Sequence, residues 1–131
     1  MAKPPSIIGP REPVIMAENW NAMVEWYERV LGFKQTYRVE DEYHYCNLET
    51  ESGVKIGIAD AKEMNVTIRQ RSSNTVVLQF DVPDVKEFFE HIKANGGTAV
   101  FGPSFDEVGK FWFGGIEDLE GNPIWIVDEN C

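Results

Sequence analysis

The sequence is poor in the side chains that most often bind metals or staple folds. Cysteine occurs twice, at Cys46 and Cys131. Two cysteines do not make a disulfide framework, and their scarcity fits a reducing compartment. Histidine also occurs only twice, at His44 and His91, which leaves few imidazole ligands for a transition metal. Basic residues are in the minority: 12 Lys and Arg stand against 22 Asp and Glu, a formal net charge of −10. A chain of that sign is repelled by nucleic-acid phosphates and by anionic membrane surfaces, so neither is expected as a partner. No apolar run approaches the roughly 20 residues of a spanning helix. The start, Met1-Ala-Lys-Pro-Pro, lacks the apolar core of a signal peptide. The expected location is cytoplasmic.

What is present is ordinary globular composition, with 43% hydrophobic and 26% charged residues, which argues against disorder. At 131 residues one compact domain is expected. Residues 1–11 contain Pro4, Pro5, Gly9 and Pro10 and read as an N-terminal arm. Glu12 to Ala17 suits a strand. Asn19 caps a helix in which Trp20, Met23, Val24, Tyr27 and Leu31 fall on one face, and Gly32 ends it. Phe33 to Val39 has strand-forming residues. Residues 61–74 are a polar connection, in which Val66-Thr67-Ile68 could add a short strand. Thr75 to Val82 is a strand, and Asp84 caps a second helix with Val85, Phe88, Phe89 and Ile92 inside. Trp20 and Trp26 are assigned to the surface or to a dimer contact, and His91 to solvent.

Phe111 to Asp128 reads as two strands around a Glu120-Gly121-Asn122 turn. Tyr43 to Asp60 repeats it: Gly53 aligns with Gly121, Ile56 with Ile124, Asp60 with Asp128, and Tyr43 and Tyr45 with Phe111 and Phe113. The helices repeat as well, with Asn19 aligned to Asp84 and Gly32 to Gly97. Each unit is therefore strand, helix, then three strands. One such unit of about 55 residues cannot bury its sheet alone. The expected fold is α+β: two βαβββ modules, 12–60 and 75–128, forming one curved mixed sheet around a cavity with the helices on the outer face.

With that repeat, the Tyr27…Leu31-Gly32-Phe33 helix end and the Asp118-Leu-Glu-Gly-Asn-Pro-Ile segment make the chain resemble the vicinal oxygen chelate superfamily. That superfamily includes glyoxalase I, bleomycin-resistance proteins and extradiol dioxygenases. The resemblance implies a small-molecule ligand and a homodimer, with strands exchanged or cavities completed by the partner chain. It also implies metal-ligand positions on the first and fourth strands of each module, which match Glu12, Gly57, Val77 and Trp125 here. Only Glu12 can coordinate, so neither a metal nor another cofactor is expected. A Cys46–His44 pair shares a strand face but lacks an orienting third group.

Strand parity then assigns Glu12 and Met16, Tyr43 and Tyr45, Gln79, Phe111 and Phe113, and Trp125 to the cavity as ligand-binding residues, with Asp81 among the polar groups. Flat aromatic faces beside carboxylates suit a planar or cationic molecule. The expected function is therefore metal-free binding of a small aromatic or cationic compound, of the drug-sequestering, bleomycin-resistance type, with no catalytic residue. The alternative is a metal-dependent glyoxalase-like lyase or isomerase, or a dioxygenase. A third possibility is a structural subunit with a filled cavity.

Overall fold

The computed structural model describes residues 8–131; residues 1–7 of the expected arm lie outside the described residues. Strand β1 (Val14–Ala17) leads into helix α1 (Trp20–Leu31). The Asn19 side chain caps α1 by accepting from Ala22 N at 3.2 Å. Strands β2 (Lys34–Val39), β3 (Tyr45–Glu49) and β4 (Lys55–Asp60) complete the first module. The second repeats the order: β5 (Leu78–Val82), α2 (Val85–Ala94), β6 (Thr98–Asp106), β7 (Phe111–Glu117) and β8 (Pro123–Asp128). Asp84 caps α2 through Glu87 N at 3.0 Å. The turns joining β3 to β4 and β7 to β8 place Gly53 and Gly121 at φ +96° and +92°, a region that excludes most side chains.

The strands form two four-stranded sheets, ordered β1-β4-β3-β2 and β5-β8-β7-β6. In each, the first and last strands pair in parallel and the remaining pairs are antiparallel. The expected single sheet is thus divided in its hydrogen bonding. The break falls at β1 and β5, which share with residues 67–71 the lining of a recess of about 360 Å³. Val66-Thr67-Ile68 forms no strand; a short 3-10 turn follows at Arg71–Ser73. Among the described residues no helix is long and apolar enough to cross a membrane.

Both helices and one face of both sheets share a single core, which includes Met23, Tyr27, Leu48, Phe89, Ile116 and Ile126. Trp20 and Trp26 belong to it, at 3% and 2% exposure, rather than to the surface. The reason is that α1 is covered by its own sheet and by the second module, so its buried stripe is wider than one amphipathic face. Trp20 donates its indole N–H to Ile58 O at 2.8 Å, and Tyr27 donates its hydroxyl to Asp118 Oδ2 of the second module at 2.8 Å. His91 is also engaged: its Nε2 meets Val30 O of α1 at 2.7 Å, although the residue remains exposed on its other side.

A polar latch joins the modules beside these contacts. The Glu120 carboxylate, from the β7–β8 turn, accepts from Glu18 N and Asn19 N at the start of α1, at 2.9 Å each. Arg71, from the connection, pairs with Glu120 and donates to Asn122 Oδ1 at 2.9 Å and to Met16 O at 3.1 Å. Asp118 holds the turn itself by accepting from Glu120 N and Asn122 N at 3.0 Å.

Candidate functional site

The second module carries an aromatic cavity of about 320 Å³ on the face of its sheet turned away from the helices. Ladder register explains it. Trp125 lies opposite Gln79 on one side and Gly115 on the other, and Phe101 lies opposite Gly115. Ile124 and Ile126, flanking Trp125, are fully buried, whereas Trp125 is 48% exposed. Phe111 and Phe113 follow on the same face with ring centroids 6.1 Å apart, and Phe101 stands 6.4 Å from Phe113. Gly115 permits this close assembly, since a Cβ there would overlap the Phe101 ring.

Four residues assigned to the cavity from sequence, Gln79, Phe111, Phe113 and Trp125, therefore line one pocket. The lining residues that were not foreseen include Phe101 and Asp106. Both lie on β6, whose register slips between Ala99 and Phe101 and again between Phe101 and Ser104. That irregularity hides the period-two signal from which a face is read.

The first module places Glu12 and Tyr45 together elsewhere. Tyr45 donates its hydroxyl to Glu12 Oε1 at 2.8 Å. Its ring crosses Gly57, where a Cβ would collide with the hydroxyl. The side-chain space at this position is thus filled by a phenol. Its own backbone N–H, the Tyr45 hydroxyl and Arg11, whose Nη2 is 3.4 Å away, hold the Glu12 carboxyl down at about 2. A carboxylate held so low is a poor proton acceptor near neutrality. Burial and the same contact push the Tyr45 hydroxyl up to about 12.

The remaining assigned residues lie apart. Met16 lines the recess between β1 and β5. Tyr43 precedes β3, in a bend, and is 42% exposed, because the strand begins only at Tyr45. Asp81 opens onto another cavity with Ser52 and Phe88. At the positions implied for metal ligands, Val14 rather than Glu12 lies opposite Gly57, and Gln79 rather than Val77 lies opposite Trp125. Among the described residues no group of three or more His, Cys, Asp or Glu side chains is gathered as a metal site requires. Cys46 is buried and its thiol is pushed up to about 11 by that burial, and His44 Nδ1 meets Glu63 Oε1 at 2.5 Å instead. A thiol in that state is no nucleophile at neutral pH.

The Glu12–Tyr45 contact has a testable pH signature. With its carboxyl held below the ordinary 4.5, Glu12 supports the fold above pH 4.5, and this support is lost as pH falls toward 2. The Tyr45 hydroxyl supports it below pH 10, and that is lost as pH rises toward 12. In Gly57→Val the ring is displaced, so the Glu12 carboxyl should move part of the way back toward 4.5. A carboxyl-carbon NMR titration of both proteins reads this directly, and identical Glu12 curves would refute the contact.

The arrangement agrees with comparison to known proteins. The model of the Glyoxalase/Bleomycin resistance protein/Dioxygenase superfamily matches residues 12–126, and the chain belongs to that superfamily. Similar solved structures include a glyoxalase/bleomycin resistance protein/dioxygenase family enzyme from Burkholderia phytofirmans PsJN. It has TM-score 0.71 and 20% identity, with 88% of this chain and 94% of that one covered. The fosfomycin resistance protein FosX from Listeria monocytogenes has TM-score 0.74 and 14% identity, with 93% of each chain covered. A glyoxalase I from Zea mays has TM-score 0.73 and 15% identity, over 90% of this chain and 46% of that one. At these identities the likeness is one of fold. A search of curated proteins found no match.

Proposed function

We propose that this chain is a small-molecule-binding member of the superfamily that holds an aromatic or cationic compound in the cavity of its second module without a metal, and so sequesters it. The observation that carries this reading is the convergence of four aromatic rings, Phe101, Phe111, Phe113 and Trp125, on one open pocket. Each ring face adds about 0.5–1.5 kcal/mol to stacking on a planar ligand. A volume of about 320 Å³ is at the small end of ligand cavities, which suits a compound of one or two rings. The net charge of −10 draws a cation toward the protein over distance.

The reading includes a homodimer. The Glu12–Tyr45 surface and the aromatic cavity lie on different modules, and the cavity takes its lining from the second module and the residues after it. A partner's first module closing over it would remove the exposed rings from water. Sedimentation should then give twice the 14.9 kDa chain mass.

The test is fluorescence titration with aromatic cations, with metal content measured in parallel. Wild-type protein should show saturable quenching, and Trp125→Ala should weaken binding at least about tenfold, the loss of one good stacking face and its apolar contact. One tightly held metal per chain, with activity dependent on it, would overturn the reading in favour of a metal-dependent lyase, isomerase or dioxygenase.

A further inference from the structure

We propose that Asp106 is the cation-selecting residue of the aromatic cavity, and that the ligand is a monocationic aromatic ammonium compound of one or two rings. The inference rests on the aromatic-cavity reading above and narrows it to one ligand class. Two carboxylates could supply the charge recognition that an aromatic slot invites. Glu12, on the first module, is committed to Arg11 and to the Tyr45 hydroxyl. Asp106 lines the cavity itself, at the end of β6. Its Oδ1 accepts from Val108 N at 2.9 Å and from Gly109 N at 3.3 Å, which fixes the carboxylate in its turn. Among the described residues Asp106 Oδ2 accepts no hydrogen bond and the side chain makes no ion pair; the adjacent Lys110 is paired with Glu107 instead.

Phe111 lies directly across the β6–β7 ladder from Asp106, and Phe113 and Phe101 continue the wall toward Trp125. Ring faces attract an organic ammonium through their quadrupoles, and a carboxylate at the rim adds a full opposite charge. A weakly hydrated ammonium attached to a ring satisfies both, with the ring against Trp125 and the charge toward Asp106. Among the described lining residues Asp106 has the one carboxylate side chain, which argues for a single positive charge. Gln79, opposite Trp125, offers a neutral amide to a polar substituent.

The experiment compares benzyltrimethylammonium with its uncharged isostere neopentylbenzene, on the wild type, Asp106→Asn and Asp106→Glu. Quenching is assigned to Trp125 with Trp125→Phe. Asparagine retains an Oδ1 acceptor for both turn amides, and thermal melts check that the variants fold. The expected result is at least about fivefold tighter binding of the cation by wild type. That preference should vanish in Asp106→Asn through loss of cation affinity alone, with neopentylbenzene unchanged, and return in part in Asp106→Glu. If both compounds bind equally, or the preference survives in Asp106→Asn, the role of Asp106 is overturned while the aromatic cavity stands. If neither compound perturbs Trp125, the cavity reading falls with it.

Discussion

Replacing Arg71 with methionine should destabilise the protein by about 3 kcal/mol, the low end for breaking a buried ion pair by removing one partner. The guanidinium and the Glu120 carboxylate are only 10% and 12% exposed, so their interaction is weakly screened. Methionine fills much of the volume but removes the Arg71 donor from Glu120, from Asn122 Oδ1, which keeps Asn74 Nδ2 at 3.2 Å, and from Met16 O. The loss stays at the low end because Glu120 keeps its bonds from Glu18 N and Asn19 N. The melting temperature should fall by about 10 °C. Denaturant unfolding of Arg71→Met, Glu120→Gln and the double variant measures the coupling, and the double variant should cost less than the sum. A loss under about 1 kcal/mol for Arg71→Met would mean that water substitutes for the guanidinium and that the latch is incidental.

Phe89→Ala should cost about 4 kcal/mol, within the range for emptying a fully buried aromatic site. Phe89 is 0% exposed, and its ring packs onto β7 at Gly114, where a Cβ would stand 2.5 Å from Phe89 Cζ. The next residue, Gly115, leaves the opposite face of the same strand open to Phe101. Two adjacent glycines thus admit one ring from the core and one from the cavity. The two rings should behave oppositely on truncation. Phe101 is 44% exposed, so Phe101→Ala should cost about 1 kcal/mol or less in stability and act mainly on ligand binding. Calorimetric melts of the two variants decide the matter, and comparable losses would remove the distinction between core and cavity faces of β7.

Much of this architecture was legible because it is written locally. Asn19 and Asp84 cap the helices they precede, and Gly53 and Gly121 sit in the turns they promise. Aligning one hairpin with the other exposed the duplication and with it the βαβββ order. Parity placed Phe111, Phe113 and Trp125 on one face, since β7 and β8 pair without a slip over that stretch. Features that depend on distant partners were not legible. Trp20 is covered by partners far along the chain, Ile58, His44 and Arg38, and Trp26 lies in the core that both modules share. Tyr45 reaches Glu12 only because Gly57 leaves room. Arg71, in a polar stretch that reads as mere linker, becomes a central ion-pair partner. Asp106 and Phe101 were hidden by the two slips in β6.

The latch also bears on the history of the duplication. Two copies of one unit start out related by a pseudo-dyad, with every contact between them made twice. In the second copy the turn carries Asp118 and Glu120, and it reaches across to the other half. At the aligned places the first copy has Thr50 and Ser52, whose hydroxyls bond each other at 3.0 Å, while Thr50 Oγ1 accepts from Val54 N at 3.0 Å. Across from that turn, toward Phe88 of α2, lies a cavity of about 310 Å³ instead of an ion pair. The copies have thus diverged where they grip each other, and the equivalence of the halves survives in the backbone but not in the side chains of these two turns.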